Sequence, residues 1–393
     1  MFLDRRRLRA AVASAVNFPV LVEVCFLESL KKKRIAIVGA NGVPASYGGW
    51  DQIVEHFTLL ELENYEFVVY CTKHTNPNDR SIHNNALVRS LPLDANGWQS
   101  IPYDIYSLYL AWRECDFVIM LGTSGAIAIP LFSALGQKHV LNIDGAEWKR
   151  GKWNGLIKAF LWLSEYVGVK FADKVVTDSE ALSEYVRKKY SLSPITIAYG
   201  GDHVKKVDGR RALSEAGLEA GKYAFKVCRI VPENNIDLIL EAFSKSSAQF
   251  VLVGNFDSSE YGRAIKQKYQ LVKNILLLNP IYDQNALDSI RSNAGLYIHG
   301  HSVGGTNPSL VEAMCLGLNV AAFDVDYNRA TTNDLAHYYG DVNTLLEIID
   351  EFEQGGLQDR GNKLLEYASQ HYTWHEVMQR YIKAVESLDQ QKD

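Results

Sequence analysis

The sequence predicts an α/β protein made of two doubly wound parallel sheets that face one another across a cleft. Three observations predict it. Short β-rich apolar runs alternate with amphipathic helical stretches along most of the chain, the signature of strands joined by crossover helices. The alternation restarts after a weakly patterned stretch, residues 199–222, which contains Gly200-Gly201 and Asp208-Gly209. The length of 393 residues, 47% of them hydrophobic, is enough for two cores and more than a single core holds.

The elements follow in order. A strand at 34–38 leads into a glycine-rich turn and an amphipathic stretch at 51–62. Further strands are expected at 67–71, 117–121, 140–143 and 174–177, with helices at 153–171 and 181–190. In the second half, strands are expected at 223–228, 250–253, 275–278, 296–299 and 318–323, with helices at 236–245, 258–270, 284–293 and 308–316. Parallel sheets of this kind are covered on both faces, and ligands sit beyond the carboxyl ends of their strands. Two such sheets therefore place a ligand between them.

Charge and cysteine usage narrow the function. The chain carries 41 Lys+Arg against 46 Asp+Glu, a net −5, and lacks the basic face that general nucleic-acid binding needs. Residues 1–34 hold eight Lys and Arg with three acids, so the remainder is markedly acidic. Five cysteines (Cys25, Cys71, Cys115, Cys228, Cys315) are odd in number, widely spaced and form no C-x-x-C pair. That argues against a disulfide framework or zinc site and fits a reducing compartment.

Two stretches invite a membrane reading. In residues 1–30, Arg5-Arg6-Arg7 and Arg9 precede an apolar run, but Pro19 and Glu23 interrupt it. An export or anchor signal and a dispensable extension both stay open. Residues 117–137 carry no charge and are long enough to span a bilayer. Gly122-Thr-Ser-Gly125 splits them, so a buried strand, a loop and a helix from Ala126 are expected instead.

Three segments carry the chemistry. Gly39-Ala-Asn-Gly42-Val-Pro-Ala-Ser-Tyr47-Gly48-Gly49-Trp50 follows the first strand but has neither the G-x-G-x-x-G spacing nor a P-loop Gly-Lys-Ser/Thr. Its glycines before a helix serve either a tight turn or close backbone approach to an anion or sugar. Tyr297-Ile-His299-Gly-His301-Ser302-Val-Gly304-Gly305-Thr306-Asn307-Pro308-Ser-Leu-Val-Glu312-Ala-Met314 is a strand, a glycine loop and a helix start, with Pro308 at the first turn. Its amides at Gly305–Asn307 are expected to point at a phosphate. His299 and His301 are expected to face apart, without a carboxylate or Cys partner, so no metal is expected. Val227-Cys-Arg229-Ile-Val-Pro-Glu233-Asn234-Asn235 offers a guanidinium for bidentate phosphate contact. Asp324-Val-Asp326 has the D-x-D spacing of metal-dependent transferases, but it is expected to continue a strand and is discounted.

Together these segments, with Asn142-Ile-Asp144-Gly-Ala-Glu147-Trp148-Lys-Arg150, resemble the retaining family 4 glycosyltransferases of the GT-B fold. More closely they resemble the bacterial β-1,4-rhamnosyltransferases that build capsular and cell-wall polysaccharides. The resemblance runs from about Arg34 to the end, including Tyr372-Thr-Trp-His-Glu-Val377. It implies a basic, apolar extension at 1–30, an acceptor-side Rossmann-like domain at 31–200, a nucleotide-sugar donor domain at 201–370, and a crossover helix and tail at 371–393.

The resemblance also assigns roles. Gly48 and Gly49 fall near the donor diphosphate and Arg229 on its phosphates. Glu312 matches the second Glu of the family's E-x7-E motif, which bonds the nucleotide ribose. Asp144 and Arg229 are the expected catalytic pair. Glu233, Gly254, His301, Ser302, Gly304, Gly305, Thr306 and Asn307 complete the donor side. Tyr47, Trp50, Asp144, Glu147 and Trp148 form the acceptor side. Two positions depart from the pattern: the first Glu of E-x7-E is Gly304, and the Lys five residues after the Arg is Asn234. Transfer of L-rhamnose from dTDP-β-L-rhamnose to a lipid-linked saccharide is implied, without metal or cofactor. A UDP- or GDP-hexose donor and a catalytically silent sugar-nucleotide-binding partner stay open. The basic, aromatic run Glu147-Trp-Lys-Arg-Gly-Lys-Trp153 and Leu156-Ile-Lys158-Ala-Phe-Leu-Trp162 suits either the cytoplasmic surface of an anionic membrane or a solvated core helix.

Overall fold

The computed structural model describes residues 32–45, 49–76, 78–143, 145, 148, 155–303 and 305–390. The first half contains β1 (Lys33–Val38), α1 (Gly49–Leu59), β2 (Tyr65–Thr72), β3 (Ile82–His83), β4 (Ala86–Leu91), α2 (Ser100–Glu114), β5 (Phe117–Leu121), α3 (Ile129–Ala134), β6 (Lys138–Asn142), α4 (Gly155–Phe171), β7 (Lys174–Thr177), α5 (Glu180–Tyr190) and β8 (Ile195–Thr196). Its sheet order is β3-β4-β2-β1-β5-β6-β7-β8, parallel except for the β3–β4 pair. Period-two alternation fills both faces. Ile35 and Ile37 enter one core with Val54 and Phe57; Ala36 and Val38 enter the other with Tyr103 and Leu108.

The second half repeats the plan. It contains α6 (Arg210–Ala216), β9 (Tyr223–Val227), α7 (Ile236–Ser244), β10 (Gln249–Val253), α8 (Glu260–Tyr269), β11 (Ile275–Leu278), α9 (Gln284–Arg291), β12 (Leu296–His299), α10 (Pro308–Cys315), β13 (Asn319–Phe323), α11 (Asp326–Thr332), β14 (His337–Tyr339), α12 (Val342–Glu353) and α13 (Gly361–His371). Its sheet, β11-β10-β9-β12-β13-β14, is parallel throughout. The chain reverses its winding between β1 and β5 and again between β9 and β12. Those two crevices are where a doubly wound sheet accepts ligands.

The last helix, α14 (Trp374–Asp389), crosses back. Its stripe of Trp374, Val377, Met378, Tyr381, Val385 and Leu388 recurs at three- and four-residue steps and is buried in the first half's core. Burying each large side chain of that stripe contributes roughly 1.5–3 kcal/mol. Two polar ties fix its middle and its end: Asn142 Nδ2 donates to the Tyr381 hydroxyl at 2.6 Å, and Lys33 meets Asp389 at 2.6 Å.

The uncharged run divides as the glycines foretold, into β5, a 3-10 turn at Ala126–Ala128 and α3. No helix among the described residues is long and apolar enough to cross a membrane. The Asp324 pair corrects an expectation. β13 stops at Phe323, Asp326 opens α11, and the Asp324 carboxylate is held by Arg329 at 2.6 and 2.9 Å. The sequence 1–30 lies outside the described residues.

Candidate functional site

At the first crevice, the loop after β1 is shaped by side chains of the helix that follows. The Asn41 amide donates to Asp51 at 3.0 Å, and the Ala45 amide donates to Glu55 at 3.1 Å. Glu55 in turn lies 2.7 Å from His83 Nε2. Gly42, at φ 113°, is required: a Cβ there would lie 2.2 Å from Cys71 Sγ. The neighbouring loop after β5 is tied by Asp104, which accepts from the Ser124 hydroxyl at 2.5 Å and the Gly125 amide at 3.1 Å. Burial pushes the Asp104 carboxyl up to about 7, against the lowering by those two donors.

At the second crevice the loops after β9 and β12 are stitched together. Ser302 donates from both its amide and hydroxyl to the Glu233 carbonyl, at 2.9 and 3.0 Å. Asn234 sends Nδ2 to the Arg229 carbonyl at 2.7 Å, while its Oδ1 lies 3.1 Å from His301 Nδ1. Gly254 is buried beneath this loop, where a Cβ would lie 2.5 Å from Ile230 Cδ1. The Arg229 side chain stands exposed and makes no ion pair among the described residues.

The two crevices meet. The buried Thr306 hydroxyl donates to the Asp178 carbonyl at 2.8 Å, joining the donor loop to the end of β7. Gly305 has no room for a side chain, since a Cβ would lie 1.9 Å from Asp178 Oδ1. Gly49 at the start of α1 sits against Tyr199 and Pro308; a Cβ there would lie 2.9 Å from one and 3.1 Å from the other. Trp50 packs on the first core, its ring 5.9 Å from that of Tyr199.

Glu312 lies within this junction, 14% exposed, with both oxygens engaged. Arg291, itself held by Asp288 at 2.6 Å, binds Oε2, and His203 Nε2 lies 3.2 Å from Oε1. Burial acts to raise the Glu312 carboxyl, but Arg291 and His203 outweigh it and hold it below its ordinary value.

Several expected donor contacts have internal partners. Asn307 accepts from the Ser309 amide and hydroxyl at 3.1 and 2.8 Å, capping α10. Thr306 and Ser302 likewise spend their hydroxyls on backbone carbonyls. On the acceptor side, Trp148 donates its indole N–H to the buried Glu165 at 3.0 Å. Lys189 lies 3.0 Å from the same carboxylate and 4.8 Å from the Trp148 ring centre. Tyr47, Gly48, Asp144, Glu147 and Gly304 lie outside the described residues.

The expectation that His299 and His301 face apart is overturned. β12 ends at His299, and the loop that follows turns His301 back so that the two rings lie 6.2 Å apart. His299 is buried with neither ring nitrogen bonded among the described residues, and burial drives it well below its ordinary pKa. No three His, Cys, Asp or Glu gather as a metal site among the described residues.

Asp104, Asp178, His203 and Arg291 were missed by motif reading. Asp178 was accessible, because it directly follows a strand that ends at the cleft. The other three act from a distant helix or the linker, and no local pattern marks them.

Comparison with known proteins extends this geometry. Residues 32–202 match a family described as a domain of unknown function (DUF1972), and residues 214–370 match glycosyl transferases group 1. No curated protein matches the chain. Among solved structures, sucrose-phosphate synthase from Thermosynechococcus elongatus is similar at TM-score 0.74 and 16% identity, covering 91% of this chain and 99% of that one. Anabaena HepE in complex with UDP-glucose gives TM-score 0.72 and 13% identity, covering 91% and 100%. The catalytic domain of starch synthase IV from Arabidopsis thaliana, bound to ADP and acarbose, gives 0.63 and 13%, covering 90% and 98%. Two sheets with facing switch points, a returning C-terminal helix and the likeness to these structures converge: the chain has the GT-B fold, and its residues 214–370 are similar to the group 1 glycosyl transferases.

Proposed function

We propose that this glycosyltransferase moves L-rhamnose from dTDP-β-L-rhamnose, with retention, to a lipid-linked saccharide at the cytoplasmic face of a membrane during cell-surface polysaccharide assembly. The observation that carries the reading is the convergence of the exposed Arg229 and the Gly305–Asn307 loop at the second switch point, opposite Gly49. Complexes of HepE with UDP and with UDP-glucose support a nucleotide-sugar donor for a chain of this fold. Rhamnose is supported by the run from Gly300 to Met314, one of the segments that resemble the rhamnosyltransferases.

In this reading the acceptor oxygen bonds to the anomeric carbon as its bond to the phosphate oxygen breaks. The departing diphosphate takes the acceptor's proton, so no carboxylate nucleophile is needed. Arg229 and the loop amides stabilise the charge that develops on the leaving group. The resemblance assigns Asp144 to the transferred sugar and Tyr47, Trp50, Glu147 and Trp148 to the acceptor. The chemistry needs no metal, and turnover is expected to persist in EDTA. Membrane docking is supported by α4, where Leu156, Trp162, Leu163, Tyr166 and Phe171 are exposed.

Titration of the full chain with dTDP-rhamnose, UDP-glucose, UDP-N-acetylglucosamine and GDP-mannose tests the donor. Preference for dTDP-rhamnose, with slow hydrolysis when acceptor is absent, is the expected result. Preference for UDP-glucose, the ligand of the similar HepE structure, would replace rhamnose with a hexose. Binding without hydrolysis or transfer would point to a silent partner.

A further inference from the structure

His203 lies in the segment linking the two halves, outside every motif of the donor loops. Its ring is bonded on both sides. Trp374 Nε1 reaches His203 Nδ1 at 2.9 Å, and His203 Nε2 reaches Glu312 at 3.2 Å. An indole N–H only donates, so Nδ1 accepts and the ring proton sits on Nε2, directed at the carboxylate. The neutral ring thus satisfies both neighbours at once.

The contacts extend in both directions. Beyond Glu312 stand Arg291 and Asp288 of α9. Beyond Trp374 stands His56 of α1, stacked on the indole with ring centres 4.0 Å apart and 16° between planes. The Trp374 amide also donates to Asp202 at 2.8 Å, seating the start of α14 beside His203. Glu312 belongs to the second half, whereas Trp374 begins the helix that packs into the first. His203 is therefore the one side chain among the described residues that hydrogen-bonds both.

We propose that His203 is a positioning residue for nucleotide-sugar binding: it orients the Glu312 carboxylate toward the nucleotide pentose and couples it, through Trp374, to the helix that spans both halves. This rests on the reading that Glu312 faces the pentose. Arg291 alone leaves the carboxylate free to rotate about its terminal bond, and the second contact, on the other oxygen, fixes its plane. Fixing an acceptor before the ligand arrives lowers the ordering cost of binding.

Calorimetric titration of the full chain with dTDP, UDP and inorganic pyrophosphate tests this, using Glu312→Ala, His203→Ala, His203→Gln and Trp374→Phe. Glutamine keeps one acceptor and one donor, so it can reproduce both bonds without a ring. His203→Ala should weaken both nucleotides about tenfold. His203→Gln should recover to within about threefold, and Trp374→Phe should fall between them. Pyrophosphate, which lacks a pentose, should bind all variants alike. In turnover, the same order should appear in donor KM with kcat little changed.

Equal nucleotide affinity in His203→Ala and wild type, with Glu312→Ala weakened, would overturn the proposal and leave the Glu312 reading intact. Unchanged binding in Glu312→Ala would remove that reading instead. Parallel loss of pyrophosphate binding in the His203 variants would make the residue a structural support only and overturn the positioning role. If His203→Ala does not fold, the Gln and Phe variants still decide.

Discussion

Asn234 and His301 are joined side chain to side chain, Oδ1 of the amide lying 3.1 Å from Nδ1 of the ring. The other end of the amide donates to the Arg229 carbonyl, which fixes Oδ1 as the acceptor and places the ring proton on Nδ1. Where the resembled family has a second cation, this chain has a neutral link between two loops. Asn234→Lys is therefore not expected to tighten nucleotide binding, because the buried amide carries the loop register. Both Asn234→Lys and Asn234→Ala should weaken UDP or dTDP binding by about three- to tenfold in calorimetry. A gain on introducing lysine would show that the family's cation site persists.

Arg229 carries the remaining positive charge of that loop, and it is exposed rather than paired internally. Arg229→Ala should lower affinity for UDP, dTDP and pyrophosphate alike, by roughly 10- to 100-fold. Arg229→Lys should recover only part of it, since an ammonium cannot match the guanidinium fork. Equal loss for the nucleotides and pyrophosphate is the result that places the residue on the phosphates. Loss confined to the nucleotides would place it elsewhere.

Gly305 tests the junction between the halves. A methyl group there would meet the Asp178 carboxylate at 1.9 Å, so Gly305→Ala must push the donor loop away from β7 and strain the Thr306 bond to the Asp178 carbonyl. Donor KM should rise at least tenfold. Thermal stability should fall by only a few degrees, because the contact joins two cores that each fold around their own sheet. Measuring both separates a local clash from general unfolding.

Much of the fold was legible because buried parallel strands are apolar on both faces. β5, β7, β11 and β12 stand where continuous apolar runs placed them. β4 was not legible: Ala86–Leu91 carries Arg89 and Ser90 and lies near the sheet edge, beside only the short antiparallel β3. α2 was hidden by Pro102 and by the polar Asp104 and Ser107 on its buried face. The site divides the same way. Arg229 and Gly305 follow strand ends and announce themselves, while His203 and Arg291 reach Glu312 only through tertiary packing. The same packing gives Thr306, Asn307 and Ser302 internal partners that a motif cannot reveal.

Asp104 gives the pH prediction with the clearest sign. Burial raises its carboxyl from an ordinary 3.8 to about 7 in the folded chain, so the folded state holds a proton that the unfolded state has released. That stability is complete below about pH 4 and is lost as pH rises toward and through 7. His56 and His139 act oppositely. Burial lowers each from 6.5 to about 4, so their neutral forms are favoured on folding, and stability falls as pH drops through that interval. A wild-type profile alone superimposes the two effects. Asp104→Asn isolates one, because the amide oxygen can still accept from Ser124 and Gly125 without a charge. The variant should match wild type near pH 4 and exceed it increasingly above, by roughly 2–4 kcal/mol at about pH 8. Denaturant midpoints of both chains across that range measure the difference. A constant gap at every pH would mean that Asp104 keeps the same proton occupancy folded and unfolded, and that its burial is offset by its two donors alone.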